Sequence, residues 1–239
     1  MNRLSELLTA NIPKYDITIP STGEKTKFRP FLVKEEKVLL VAQNTGSTTE
    51  VLNSIQRIIE YCVDGVRDAS SLPLFDLEYL FIKLRSKSIG ELANPIIKCP
   101  ITEEEIQLEV NLNEIELKGT PQKENKIKIS DDIILKMKYP TLKTILDQDY
   151  EVDFQDPESF YNLAIRCIDK IITKEETINV DQLPIVEVEE FVDNMTKSQF
   201  EKILNFFVNI PKLEKSINYV TSDGVEREVL LSGLSDFFG

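Results

Sequence analysis

The sequence predicts an α+β fold, and three observations carry the prediction. Apolar and polar residues alternate with period two in three separate places, each broken by turn chemistry. Between them run stretches whose apolar residues recur every three or four positions. The resulting order is hairpin, helices, strands, helices, hairpin, which suits antiparallel neighbours rather than βαβ crossovers.

The first hairpin spans 15–31. Tyr15, Ile17 and Ile19 alternate with Asp16 and Thr18, Ser21-Thr22-Gly23 supplies the turn, and Thr26–Phe31 returns. Period two puts Lys25, Lys27 and Arg29 on one face of the return strand and Thr26 and Phe28 on the other. That basic face reads either as an ordinary solvated strand side or as a docking surface. Residues 34–43 then form a short helix. Ser47-Thr48-Thr49-Glu50 opens a stronger one, with a capping residue and an early acid. Its stripe is Val51, Leu52, Ile55, Ile58, Ile59 and Cys62, so Cys62 reads as a small buried hydrophobe. A third helix runs from near Pro73 to about Ser88, with Leu77, Leu80, Phe81 and Leu84 toward the core and Gly90 as its stop.

The period returns to two from Asn94. Ile96, Ile97 and Cys99 lead into a turn at Pro100–Glu104, and Ile106, Leu108 and Val110 come back; further strands follow up to Pro140. The second helical group, 157–210, has three stripes: Phe160, Leu163, Ala164, Cys167 and Ile171; Val188, Phe191, Val192 and Met195; and Phe200, Ile203, Leu204 and Phe207. Ile217–Tyr219 and Val225–Leu231 make the last hairpin, turning at Ser222-Asp223-Gly224. Apolar residues recur at shared offsets after Ile106 and after Val225, a weak internal repeat. The expected division is 1–93, hairpin plus helices; 94–140, β-rich; and 141–239, helices ending in a hairpin and an aromatic tail.

Composition bounds the function. A chain of 239 residues can bury a real core, and 41% hydrophobic with 29% charged residues is ordinary for a globular protein. A net charge of −13 argues against nucleic-acid binding, which needs clustered Lys and Arg. The runs of charge, acidic at 147–158 and lysine-rich at 123–143, read as solvated faces or as charge-matched partner surfaces. No apolar run spans a bilayer, and the first residues lack the pattern of a signal peptide, so synthesis in a cytoplasm and no membrane partner are expected. Three widely spaced cysteines fit reduced thiols.

There is no histidine, which removes Ser-His and Cys-His nucleophile pairs and most catalytic zinc sites. Gly23-Glu24-Lys25-Thr26 lacks the earlier glycine and spacer of a phosphate loop, and no dinucleotide fingerprint occurs. No carboxylate pair stands out from the acidic background. The residues therefore point to no catalytic site, no cofactor and no small-molecule substrate.

Two blocks are specific. Tyr15–Gly23 continues through Lys27-Phe28-Arg29-Pro30-Phe31-Leu32-Val33-Lys34-Glu35-Glu36-Lys37. The other is Leu74-Phe75-Asp76-Leu77-Glu78-Tyr79-Leu80-Phe81 with Leu84–Glu91. Together they resemble the baseplate hub protein family of T-even-type (T4-like) contractile-tailed phages, small proteins needed to build the hub of the tail baseplate. The resemblance is strongest over 11–91 and returns at Met137–Pro140, Gln199–Ile203 and Phe237-Phe238-Gly239. It implies protein–protein contacts with other baseplate hub or hub-assembly proteins, or with further copies of the chain. The role implied is structural subunit or assembly chaperone, in the host cytoplasm during assembly and in the virion tail baseplate. The alternative is a baseplate-associated, carboxylate-dependent hydrolase of cell-wall glycan. Relatives often carry paired cysteines at the central and last hairpins, in the manner of zinc knuckles. Here Cys99 stands alone and the last hairpin has none, so no metal is expected. Besides Lys25, Lys27 and Arg29, the candidate partner-binding residues are Phe237 and Phe238, which either fold back on the chain's own helices or insert into a partner.

Overall fold

The computed structural model describes residues 8, 12–146 and 156–238. Asp147, Asp149, Glu151 and Asp153 of the acidic run lie outside the described residues, as does Gly239; Asp156 and Glu158 lie within them. The architecture is α+β, with small antiparallel sheets among the helices. The chain divides into two compact units, one of residues 1–69, 75–120 and 211–239, the other of residues 70–74 and 121–210. The stretch 94–140 is thereby shared: 94–120 falls in the first unit and 121–140 in the second.

In the first unit β1 (Tyr15–Thr18) pairs with β2 (Lys25–Phe28), Tyr15 opposite Phe28 and Thr18 opposite Lys25. The outer edge of β2 is closed: Arg29 N–H donates to Cys62 O (3.0 Å) and Asp64 N–H to Lys27 O (2.8 Å). Helices α1 (Val33–Thr45) and α2 (Thr48–Cys62) form an antiparallel pair joined at Gly46, whose φ of 69° is the left-handed conformation a glycine adopts without strain. Ser47 caps α2, accepting from Glu50 N–H, and Ile55, Ile58, Ile59 and Cys62 are its buried stripe as the spacing predicts. Burial pushes the Cys62 thiol up to about 11, in keeping with an inert hydrophobe.

Helix α3 (Leu74–Ser88) departs from a single stripe. Phe75, Asp76, Leu77, Leu80, Phe81, Ile82, Leu84 and Ser86 are all buried, so the helix is enclosed on most of its circumference. Ile82 belongs to a core with Ala93, Cys99, Leu108, Val110, Leu112, Ile115, Leu213, Tyr219, Leu231 and Phe237. Around it lie β3 (Leu92–Ala93) paired with β6 (Val110–Asn111), the central hairpin β4 (Ile96–Lys98) with β5 (Glu105–Gln107), and the sheet β13–β12–β7. In that sheet β12 (Lys212–Val220) lies between β7 (Glu116–Lys118) and β13 (Glu226–Ser232), and helix α8 (Gly233–Phe238) follows. Gly224, at φ 74°, closes the β12–β13 turn with its N–H on Thr221 O (2.9 Å).

The second unit holds one four-stranded antiparallel sheet, ordered β11 (Thr177–Asn179), β10 (Ile168–Ile172), β9 (Ile134–Met137), β8 (Asn125–Lys128). Its helices are α4 (Leu142–Leu146), α5 (Pro157–Arg166), α6 (Ile185–Asp193) and α7 (Lys197–Val208). Asp156 caps α5, accepting from Ser159 N–H (2.8 Å). The predicted stripe running from Phe160 to Ile171 is corrected here. The helix stops at Arg166, and Ile171 sits on β10 opposite Leu135. Ile168 and Ile171 gain more as β-branched strand residues beside β9 than as further helical turns, because they complete the sheet's buried face.

Candidate protein-docking site

The two sequence blocks come together in the first unit. The β1–β2 hairpin supplies Tyr15, Asp16, Ile17, Thr18, Lys25 and Phe28, and α3 supplies Tyr79, Lys83 and Lys87; with Asn113 they line a groove of about 700 Å³. The Tyr15 and Phe28 rings in its lining lie 5.5 Å apart. Lys87 Nζ stands 5.8 Å from the Tyr15 ring, and Lys83 Nζ 5.4 Å from the Tyr79 ring, both within cation–π reach.

The lysines differ in how they are neutralised. Lys87 is held by Glu91 at 2.7 Å. Among the described residues Lys83 donates to carbonyl oxygens, those of Ile115 (3.3 Å) and Asn113 (3.4 Å). Burial pulls its pKa down, with the Glu116 carboxylate partly opposing. Lys25 is exposed and has no ion-pair partner among the described residues. The residues lining the groove thus include three ammonium groups and one carboxylate, Asp16, which Lys27 engages at 3.3 Å; Glu91 is bound to Lys87 and Glu116 acts on Lys83 from outside the lining. On a chain of net charge −13 this is a local reversal of sign.

The predicted basic strand face is therefore divided. Lys25 lines the groove, Lys27 is turned to Asp16, and Arg29 is taken up internally. Arg29 Nη2 lies 3.1 Å from Glu35 Oε1, and Glu35 Oε2 accepts from Leu32 N–H at 2.7 Å, capping α1. Although burial works against its charge, these bonds hold the Glu35 carboxyl below the usual range. Lys83 was missed by sequence reasoning. It follows Tyr79 by four residues on one helix face, a signal that is visible once the helix is known.

Phe237 is 1% exposed within the core around Ile82, so its side chain fills the chain's own interior. Phe238 is the last residue of α8.

Two α3 carboxyls have raised pKa values, the property a glycosidase acid requires. Burial pushes Asp76 up to about 6, against the bonds it accepts from the Ser21 N–H (3.0 Å) and hydroxyl. Burial pushes Glu78 up to about 7, against the Leu234 N–H. Both are bonded to their own chain, one to the first hairpin's turn and one to α8, and neither lines the groove. They act as ties within the fold.

The central and last hairpins meet at their tips. Glu104 accepts from the N–H (3.0 Å) and hydroxyl of Ser222, and Tyr219 donates to Cys99 Sγ at 3.4 Å. The buried Thr102 hydroxyl faces the same sulfur; it and the Tyr219 hydroxyl draw the Cys99 thiol down to about 6. Arg227 clamps Asp223, holding that carboxyl far below its usual range. One thiol among hydroxyls is a poor set for tetrahedral zinc, and among the described residues no three His, Cys, Asp or Glu side chains converge as metal ligands. Cys99→Ala is expected to cost about 1–3 kcal/mol by leaving the buried Tyr219 hydroxyl unpaired. Cys99→Ser should cost less; urea unfolding of the two variants checks the order.

The family model of T4 bacteriophage base plate proteins matches residues 12–239. The chain belongs to this family. Both blocks of the groove lie inside the match, so this baseplate protein carries the groove within its family region. No curated protein and no solved structure matches it. Among the described residues of the baseplate protein no helix is long and apolar enough to cross a membrane.

Proposed function

We propose that this baseplate protein acts in building the hub of the tail baseplate, through protein–protein contacts and without catalysis. The observation that supports this reading is the convergence of both sequence blocks on one basic, aromatic groove whose groups offer binding contacts and no acid–base pair. Its partners are other hub or hub-assembly proteins, and it works either as a subunit of the hub or as a chaperone that leaves.

The test is genetic. A stop codon placed early in the gene should yield tails without complete hubs in electron micrographs, and a plasmid copy should restore them. Normal baseplates without the protein would overturn the reading. Mass spectrometry of purified mature particles separates the two roles: a subunit is present in stoichiometric amount and a chaperone is absent. Purified protein should leave a peptidoglycan suspension turbid, since clearing would require the hydrolytic alternative.

A further inference from the structure

The hairpin at the groove has one closed edge and one open edge. Ile19 N–H donates to Glu24 O at 2.9 Å, which fixes Ile19 and Glu24 as a hydrogen-bonded pair. Alternation then makes Ile17 with Thr26 and Tyr15 with Phe28 the bonded pairs of β1–β2. Asp16 and Thr18 consequently turn their N–H and C=O groups away from β2. The same alternation on β2 turns Lys27 and Arg29 outward, where both meet residues 62–64. No such strand lies beyond β1 among the described residues. Four consecutive β1 residues line the groove, from both pleat faces, so the groove runs along this edge.

We propose that this edge receives an extended acidic segment of another baseplate protein as an added strand, its carboxylates meeting Lys25, Lys83 and Lys87. Backbone pairing to Asp16 and Thr18 supplies affinity that any extended chain could use. The three lysines select for acid, and Lys83, half-buried and bonded to the Asn113 and Ile115 carbonyls, gains a charge-assisted bond from an arriving carboxylate. Tyr15 and Tyr79 offer apolar contact for the alternate side chains of such a strand. Lys27 offsets Asp16, the one carboxylate among the residues that line the groove. This inference rests on the hub-assembly reading.

The probe is a fluorescein-labelled heptapeptide of alternating glutamate with valine or tyrosine, and its control carries lysine in place of glutamate. The acidic peptide should bind the full chain and the basic one should not. Lys25→Glu with Lys87→Glu should weaken binding at least tenfold, while Lys143→Glu, the same kind of charge change in the second unit, should leave it unaltered. Thr18→Pro removes one outward N–H and no bond to β2, so it should also weaken binding at least tenfold without lowering the melting temperature. Amide exchange should slow at Asp16 and Thr18 when the peptide is added. Equal binding of the two peptides, no binding of either, or protection elsewhere would overturn the proposal. So would a dimer closed through β1, seen as self-association that Thr18→Pro abolishes. A phage carrying the Lys25 and Lys87 substitutions that builds normal hubs, while the stop-codon phage does not, sinks the groove inference and leaves the hub reading standing.

Discussion

Phe237→Ala is expected to lower stability by about 3–5 kcal/mol, the range for removing a buried aromatic ring. The side chain is 1% exposed in a core that also holds Ile82, Leu112, Ile115 and Leu213, drawn from α3, the turn between β6 and β7, and the last hairpin. A cavity there opens in a core that α3, the central region and the last hairpin share. The melting temperature should drop on the order of 10 °C, as expected for a chain of this size. Deleting 236–239 should do at least as much, because Asp236 also accepts from Ser232 N–H (2.8 Å). A truncated protein that melts like the full chain would show that the aromatic tail is held by something other than its own core.

The second large effect is on pH. Burial raises the Asp76 carboxyl from 3.8 to about 6. The folded state therefore binds this proton more tightly than the unfolded one, and protonation favours folding. The contribution is greatest below pH 4, declines as pH rises toward 6 and is flat above; its full span is about 3 kcal/mol. Glu78 acts in the same direction, from 4.5 toward about 7. Glu35, Glu104 and Asp223 act oppositely, since each is held below its usual value and loses its contribution as pH falls. Comparing wild type with Asp76→Asn isolates the one group. The variant keeps an acceptor for Ser21 N–H and should lose the decline between pH 4 and 6 in urea titrations. Parallel curves for the two proteins would refute the assignment.

Much of this fold is legible in the residues because its strongest elements are local. The three hairpins declare themselves by alternation around Ser21-Thr22-Gly23, Pro100–Glu104 and Ser222-Asp223-Gly224. Helix α2 does so by a capped stripe. The failures are where two periods coincide or where a contact is distant. Ile168, Ile171 and Ile172 satisfy a helical three-and-four spacing as well as a strand, and only pairing with β9 decides. Ile82, Asp76 and Ser86 lie off the first stripe of α3, so their burial is invisible until distant segments meet them: the core of residues 93–115 at Ile82, Asn113 at Ser86 and the first hairpin's turn at Asp76. At the site, Lys25 was readable from period two. Arg29 was readable as part of the same basic face, but its ion pair was not, because the partner, Glu35, belongs to the start of the next helix. Lys83 became part of a groove only when α3 was laid beside β1.

The divided first unit imposes an order on how the chain forms during synthesis. Strand β7 must pair with β12, Lys118 opposite Lys212, across more than ninety residues of intervening chain. Closing so long a flexible loop costs about 4 kcal/mol in entropy. All but five residues of the second unit lie within that interval, so they leave the ribosome before residues 211–239 do. If 121–210 collapse first, the span to be closed becomes a short pair of connections, and β12–β13 with α8 arrive last to complete the core around Ile82 and Ile115. A nascent chain stalled before residue 211 would then hold a folded second unit beside a first unit that lacks its central strand. Slow folding and capture by chaperones should be confined to that final stretch of translation.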